Sequence, residues 1–186
     1  MRKVTVFENI TLNGFFADAN GDVQWAHEGD NDPEFAAFVA SNASGSSTLV
    51  FGRITYDIMV RFWPTDAARQ SMPEVAKGMN ASQKLVFSRT LAKPDWENTR
   101  VVNSDPPGEI RRLKAQDGPG IAVLGSGSIA AQLAAANLID DYQFVVNPIV
   151  LSTGKTLFAG ADRKLKLVDS RTFKNGKVFL RYEPRV

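Results

Sequence analysis

The chain contains no cysteine and a single histidine, His27, among its 186 residues. The lack of cysteine excludes disulfide bonds, thiolate nucleophiles, iron–sulfur clusters and cysteine-bound zinc. With one histidine, carboxylates would have to supply nearly all ligands of a zinc site, so we expect no metal centre. A serine hydrolase is also disfavoured, because the sequence has no Gly-x-Ser-x-Gly turn and His27 is the only histidine available as a base.

Charge of one sign and long apolar runs are scarce as well. The chain has 22 Lys and Arg residues against 20 Asp and Glu residues, and the basic residues are scattered instead of forming a stripe. No apolar run approaches the ~20 residues that cross a bilayer, and the first residues lack the apolar core of a signal peptide. We therefore expect a cytoplasmic protein without nucleic-acid or membrane partners. No repeat or linker interrupts the chain, which predicts one domain over residues 1–186.

Strand-like and helix-like segments alternate along the chain, which predicts an α/β fold with a mainly parallel sheet covered by helices on both faces. Asp32-Pro33 and Asp105-Pro106 are typical helix starts, and Ile54, Ile58 and Phe62 have helical spacing. The loop over residues 13–32 is long enough to be a lid or binding loop. Buried strands are predicted at 4–7, 48–51, 84–88, 99–103, 121–124 and 142–147.

The end of the chain predicts a hairpin at one edge of the sheet. Asn175-Gly176 lies between two strand-like stretches, residues 169–174 and 177–182. This dipeptide favours a two-residue type I′ turn, since both of its residues tolerate positive φ. We expect this C-terminal hairpin to add antiparallel strands.

Two predicted strands run directly into glycine and then a helix, at Gly52 and at Gly125. A helix N-terminus offers unpaired N–H groups, and glycine lets a phosphate approach the backbone. Gly125-x-Gly127-x-x-Ala130 satisfies a dinucleotide-binding fingerprint. The usual Rossmann arrangement fails, because the motif comes late in the chain and Asp140 precedes the next strand instead of ending it.

Two arginines follow strand ends in the same way. Arg53 follows Gly52, and Arg89 follows Ser88. If the strands are neighbours, both guanidiniums and the hydroxyls of Ser88 and Thr55 face one phosphate, enough to select NADPH over NADH. The alternative is that the arginines are surface residues, with Arg53 paired to Asp57 four residues on.

These strand ends resemble the dihydrofolate-reductase-like superfamily, and most closely stand-alone proteins related to the reductase half of the bifunctional riboflavin-pathway deaminase–reductase. The resemblance covers nearly the whole chain in order and spacing. It is carried by residues 11–17 (TLNGFFA), 50–56 (VFGRITY), 84–90 (KLVFSRT), 123–129 (VLGSGSI) and 148–158 (PIVLSTGKTLF).

The resemblance implies NADPH as the hydride donor and assigns residues to it by matching position. Those implied for the adenosine phosphates are Gly52, Arg53, Thr55, Ser88 and Arg89, with Arg53, Ser88 and Arg89 nearest the 2′-phosphate. Those implied for the pyrophosphate are Gly125, Ser126, Gly127, Ser128 and Ile129. Asn9, Phe16 and Ala17 would lie beside the nicotinamide, partly through backbone groups, and residues 13–32 would form the mobile active-site loop.

For the reaction, the resemblance implies hydride transfer from NADPH to the sugar of a ribosylamino-uracil, a step of riboflavin biosynthesis. Glu34 falls near the catalytic carboxylate of dihydrofolate reductases, although a glutamate also suits the first turn of a helix. The deaminase half needs a His/Cys zinc site that this chain cannot supply, so we expect reductase activity only. Pterin reduction and a non-catalytic NADP(H)-binding or oligomerisation module are the alternatives. Family members commonly form homodimers, for which the edge hairpin is a candidate.

Overall fold

The computed structural model describes residues 1–27, 31–44 and 47–185. The strands are Val4–Thr11 (β1), Phe15–Asp18 (β2), Ser47–Gly52 (β3), Lys84–Phe87 (β4), Thr99–Val102 (β5), Gly120–Val123 (β6), Asp141–Asn147 (β7), Gly154–Thr156 (β8), Leu165–Thr172 (β9) and Val178–Pro184 (β10). The helices are Pro33–Ser44 (α1), Arg53–Val60 (α2), Asp66–Ser71 (α3), Pro73–Ala81 (α4), Pro106–Lys114 (α5) and Gly127–Ala135 (α6).

Eight strands form one sheet in the order β5-β4-β3-β6-β1-β7-β10-β9, and β2 pairs with β8 in a separate small sheet. The first six strands in this order are parallel to one another, whereas β10 pairs antiparallel with both β7 and β9. This confirms the predicted α/β fold with its mainly parallel sheet and C-terminal antiparallel hairpin. Six parallel strands place six carboxyl ends along one edge, which is where such sheets bind ligands.

Alternating side chains divide the core between the two faces of the sheet. On β3, Val50 faces the layer of α5 and α6, while Leu49 and Phe51 face α2 and α4. On β1, Val4 and Val6 face the α5/α6 layer, and Phe7 faces the aromatic cluster of α1. Successive residues of a strand point to opposite faces, so each later residue of β1 can be assigned to one layer.

Two helix starts follow the predicted capping chemistry. Asp32 Oδ1 accepts hydrogen bonds from the backbone N–H groups of Glu34 (2.9 Å) and Phe35 (3.3 Å) at the start of α1. Asp105 accepts from the N–H of Gly108 (2.8 Å) at the start of α5. In each case a carboxylate satisfies helix N–H groups that have no intrahelical partner.

The N-terminal strand and the long loop differ from the prediction. β1 continues to Thr11, since its ladder with β7 runs to the Thr11–Asn147 pair regardless of the charged side chain at Glu8. The stretch predicted as a loop over residues 13–32 contains β2 and a 3-10 turn at Gln24–His27, and residues 28–30 lie outside the described residues.

The hairpin exists, but its turn is not type I′. The Gly176 N–H donates to the Phe173 carbonyl (3.0 Å), and only Gly176 of the turn has a positive φ, +82°. Asn175 is held by its N–H bond to Asp32 Oδ2 (3.2 Å) and by accepting the Lys177 N–H (3.1 Å) at its Oδ1. Contacts with the start of α1 therefore select a three-residue loop with glycine in the left-handed position.

The apolar residues at helical spacing after Gly52 do not face the core. α2 ends at Val60, and the exposed fractions of Ile54, Ile58 and Phe62 are 69%, 42% and 40%. The helix instead buries Tyr56, whose hydroxyl accepts the N–H groups of Asp95 and Trp96. An exposed apolar stripe consequently runs along α2. Among the residues described, no helix is long and apolar enough to cross a membrane.

Candidate cofactor site

The site begins with three neighbouring strands whose carboxyl ends carry the polar segments singled out in the sequence. β3 lies between β6 and β4, and all three are parallel. Gly52 at the end of β3 pairs in register with Phe87 at the end of β4, so Arg53 and Ser88 follow adjacent strand ends. The segment that begins at Gly125 follows β6 on the other side of β3. The predicted adjacency of the two arginine-bearing strand ends is confirmed.

The loop after β6 has an unusual backbone. Gly125 and Ser126 have successive positive φ angles of +76° and +78°, and the second belongs to a residue with a side chain. Ser126 is the N-cap residue of α6 but makes no side-chain capping bond, and its Oγ lies 3.0 Å from Ser128 Oγ. The first N–H groups of α6 thus keep the donor character that binds anions at helix N-termini.

Close backbone approach joins the two glycine turns. A Cβ atom on Gly52 would lie 2.6 Å from Ser126 Cβ and closer still to its Oγ. On the other side, a Cβ atom on Gly125 would lie 2.9 Å from Thr55 Oγ1. Neither glycine has room for a side chain, because each turn packs directly on the other. Gly52, Thr55, Gly125 and Ser126 therefore form one continuous surface.

The basic part of the site contains one paired and one exposed arginine. Arg53 Nε donates to both carboxylate oxygens of Asp57 (2.9 and 2.8 Å), which is the surface pairing considered as the alternative. A guanidinium carries two further nitrogens with four N–H donors. Ser88 is buried, and its Oγ accepts the N–H groups of Thr90 (3.2 Å) and Leu91 (3.0 Å), which shapes the turn that presents the exposed Arg89.

The residues implied for the nicotinamide reach the same loop from β1 and β2. The Phe16 ring packs on the start of α6, since a Cβ atom on Gly127 would lie 2.7 Å from Phe16 Cε1. Ala17 and Ile129 are buried, so only their backbone groups can contact a ligand without rearrangement. Asn9 Oδ1 accepts a hydrogen bond from Asn147 Nδ2 (3.2 Å) near the carboxyl end of β1.

Glu34 does not lie beside the other predicted site residues. Its Oε1 accepts a hydrogen bond from Arg171 on β9 at 2.6 Å, and both side chains are about half exposed. In the sheet, β9 is at the opposite edge from β4 and three strands from β1. This ion pair gives Glu34 a contact in the fold, and its catalytic role stays a prediction.

Two polar groups at the site were missed by the sequence reasoning. Glu8 on β1 and Asn147 on β7 each have a buried side-chain oxygen, Oε1 and Oδ1 respectively, without a hydrogen-bond partner among the described residues. Burial raises the pKa of Glu8 to about 8, against a smaller lowering by the Gly125 backbone N–H acting on the carboxyl. The alternation Val4, Val6, Glu8, Ile10 was the available signal, because it places a carboxyl among residues of one buried face.

The arrangement fits a dinucleotide phosphate on structural grounds. The contact between Gly52 and Ser126 leaves backbone groups exposed where side chains would block an approaching ligand. The uncapped start of α6 supplies N–H donors, and two guanidiniums follow the adjacent strand ends. The carboxyl edge of the sheet thus presents uncharged backbone N–H donors beside two arginine side chains.

Several solved structures share this fold, and two of them are described below. A putative riboflavin biosynthesis protein from Shewanella sp. PV-4 matches with a TM-score of 0.73 and 21% identity, over 99% of each chain. A diaminohydroxyphosphoribosylaminopyrimidine deaminase/5-amino-6-(5-phosphoribosylamino)uracil reductase from Thermotoga maritima matches with a TM-score of 0.66 and 15% identity. That match covers 99% of this chain and 57% of the Thermotoga chain.

The chain belongs to the RibD C-terminal domain family, whose model matches residues 2–179. The uncharacterized protein YyaP of Bacillus subtilis (strain 168) is 29% identical over 183 residues, which are 97% of this chain and 94% of YyaP. The uncharacterized protein YwjB of the same organism is 24% identical over 168 residues, 89% of this chain and 88% of YwjB. The resemblance to the riboflavin-pathway reductase domain is confirmed at the level of family and fold.

Proposed function

We propose that this protein is an NADPH-dependent reductase. The order of groups along the carboxyl edge of β6, β3 and β4 is the observation that carries the proposal. That order is an uncapped helix start, a glycine turn packed against it, and two arginines beside a buried serine. A diphosphate flanked by a ribose 2′-phosphate presents anionic groups in a matching order.

Each group has a distinct role in this proposal. The Gly125–Ser128 loop and the backbone at Ile129 hold the diphosphate. Gly52 and Thr55 border it, and the 2′-phosphate lies against Arg53, Ser88 and Arg89. Asn9, Phe16 and Ala17 contact the nicotinamide. When bound, NADPH supplies a hydride to an electrophilic carbon of the substrate, whose neighbouring heteroatom takes up a proton.

We propose a small heterocyclic or sugar-linked substrate, with a ribosylamino-pyrimidine as the named candidate. Membership of the RibD C-terminal domain family and the fold shared with the Thermotoga reductase support this class. Glu34 is the proposed carboxylate for proton delivery. A cytoplasmic location belongs to the same proposal.

NADPH carrying deuterium at C4 tests the reaction. We expect oxidation of the reduced nicotinamide in the presence of 5-amino-6-(5-phosphoribosylamino)uracil, with deuterium recovered on a sugar carbon of the product by mass spectrometry. Deuterium recovered on dihydrofolate instead would establish pterin reduction. Tight NADPH binding without oxidation over pterins, ribosylamino-pyrimidines and small carbonyls would contradict a reductase and leave a binding module.

A further inference from the structure

Glu8 is a carboxyl group placed between the Gly125 loop and the hydrophobic core. It follows Val4 and Val6 on the face of β1 that packs against α5 and α6, and its register partner on β7 is the buried Phe144. Although the residue keeps some exposed surface, its Oε1 is closed off from solvent and has no hydrogen-bond partner among the described residues. β1 and β6 pair in parallel register up to Val6 and Val123, so Glu8 lies beside Gly125, the first residue of the loop.

The loop that Glu8 borders has an energetically unfavourable backbone conformation. Gly125 and Ser126 have successive positive φ angles, and a residue with a side chain occupies the second position at an energetic cost. Such a conformation persists only when surrounding contacts hold it. Glu8 borders the first residue of the loop from β1, while Gly52 at the end of β3 and Thr55 on α2 pack against the loop from the other side.

The surroundings of Glu8 favour its uncharged form. Residues 120–135, which include β6, the loop and α6, contain no ionisable side chain. On β7, Tyr142 is on the same face as Glu8 and is buried, whereas Asp141 lies on the other face and accepts from Arg181 at 3.0 Å. No cation therefore reaches Glu8 from these elements to stabilise an ionised carboxylate.

The small sheet beside the site does not supply a cation either. β2 carries Asp18, which accepts the Asp22 N–H at 2.8 Å. β8 carries Lys155, whose Nζ reaches the backbone near Gly21. An ionised Glu8 would thus lie uncompensated beneath a loop that is proposed to bind a diphosphate.

We propose that Glu8 is part of the dinucleotide site, where its protonated carboxyl lets the Gly125–Ser128 loop above it bind a diphosphate. The inference rests on the proposed function, since the ligand of the loop is taken to be NADPH. Loss of the proton places a negative charge below the loop, where it repels the diphosphate. Binding of NADPH is then linked to retention of one proton on Glu8.

The test compares NADPH dissociation constants of the wild-type protein and Glu8→Gln from about pH 7 to about pH 9.5. Glutamine keeps the size and the acceptor oxygen of the carboxylic acid but cannot ionise. Because burial brings the pKa of Glu8 to about 8, we expect the wild-type Kd to rise above that pH by up to about tenfold per unit. We expect the Kd of Glu8→Gln to stay constant over the same range.

A second measurement needs no variant. Calorimetric titration of the wild-type protein with NADPH at about pH 8.5, in buffers of different ionisation enthalpy, reports the protons taken up on binding. We expect an uptake of a sizeable fraction of one proton. A wild-type Kd that does not change with pH, an equal change in both proteins, or no proton uptake would overturn the role of Glu8 while leaving NADPH binding established. If neither protein binds NADPH at any pH, the proposed function itself is overturned, and this inference with it.

Discussion

Gly52 and Ser126 are in contact across the ends of two neighbouring strands, so that a Cβ atom on Gly52 would lie 2.6 Å from Ser126 Cβ. This contact joins the turn that carries Arg53 to the loop that begins α6. Two segments separated by more than seventy residues in the sequence thereby form a single surface. The requirement for glycine at position 52 is therefore a property of the site and not only of a turn.

Gly52→Ala tests this contact. The added methyl group must displace the Gly125–Ser128 loop, and we expect a destabilisation of about 1–3 kcal/mol together with at least about tenfold weaker NADPH binding. Titration and denaturant unfolding measure the two effects. The double variant Gly52→Ala/Ser126→Gly removes the side chain that the methyl group meets, with Ser126→Gly as the matched single variant. Failure of the double variant to recover binding relative to Gly52→Ala would contradict a direct steric link.

The stability of the protein should depend on pH through Glu8. The carboxyl stays protonated in the folded state up to about pH 8 but ionises at its ordinary pKa of about 4.3 in the unfolded chain. Between these values the folded state binds more protons, so the free energy of unfolding falls as pH rises. We expect Glu8→Gln to gain stability relative to wild type across this window, by on the order of 3–5 kcal/mol in total. Urea unfolding at several pH values checks it, and a constant difference between the two proteins would refute it.

Variants of Glu34 and Arg171 distinguish a catalytic role of Glu34 from its role in the ion pair with Arg171. Both Glu34→Gln and Arg171→Ala break the charge pair, which is half exposed and contributes about 0–1 kcal/mol. If the Glu34 carboxylate delivers a proton, only Glu34→Gln lowers kcat, by about 10²–10⁴-fold, and neither variant changes the Kd of NADPH. Equal kcat values in the two variants would assign Glu34 to the fold alone.

Replacing Lys84, at the start of β4, should change the stability of the protein without changing NADPH binding. Its Nζ donates to the carbonyl groups of Asn80, Ser82 and Glu97 and lies 4.5 Å from the centre of the Trp96 ring. Lys84→Met would leave these acceptors without their donor, for which we expect a loss of about 2–4 kcal/mol in the free energy of unfolding. NADPH affinity should not change, because Ser88 and Arg89 follow the opposite end of the strand. A parallel loss of affinity would show that the two ends are coupled.

The edge strand β9 leads us to propose a homodimer. Within the described part of the chain, β9 pairs only with β10, and Leu167 and Val168 on β9 are 49% and 44% exposed. Unpaired edges of this kind associate with another strand unless they are blocked. We expect light scattering to report a dimer, and Val168→Lys to shift it toward monomer without a change in helix content. A monomeric wild-type protein at high concentration would contradict the proposal.

The sequence predicted the sheet, the caps and the neighbouring strand ends because local chemistry determines them. Asp32 and Asp105 cap the helices that they were expected to cap, and Arg53 and Ser88 follow adjacent ends because parallel strands with helical crossovers align their termini. The features that the sequence did not predict depend on tertiary contacts. The bonds of Asn175 to Asp32 and Lys177 selected another turn type, and packing around Tyr56 left Ile54 facing solvent.

Glu8 was missed because the predicted first strand ends at Phe7, although the ladder with β7 continues past Glu8 and Asn9 to Thr11. The carboxyl of Glu8 is tolerated there because burial raises its pKa to about 8, so that it can keep its proton. Such a position is visible in the sequence only once the length of the strand is known.

A titration with NADPH and NADH in parallel tests the central claim most directly, using the wild-type protein, Arg53→Ala, Arg89→Ala and Arg112→Ala. Arg112 is the control because it lies at the opposite end of the sheet from the proposed site. It belongs to the last turn of α5, and the carbonyl of Lys114 in that turn accepts the N–H of Arg2, just before the start of β1. We expect tight NADPH binding that Arg53→Ala and Arg89→Ala each weaken by about tenfold or more. NADH affinity and Arg112→Ala should be little changed. Equal affinity for both cofactors, unaffected by either arginine, would contradict a 2′-phosphate site at the ends of β3 and β4.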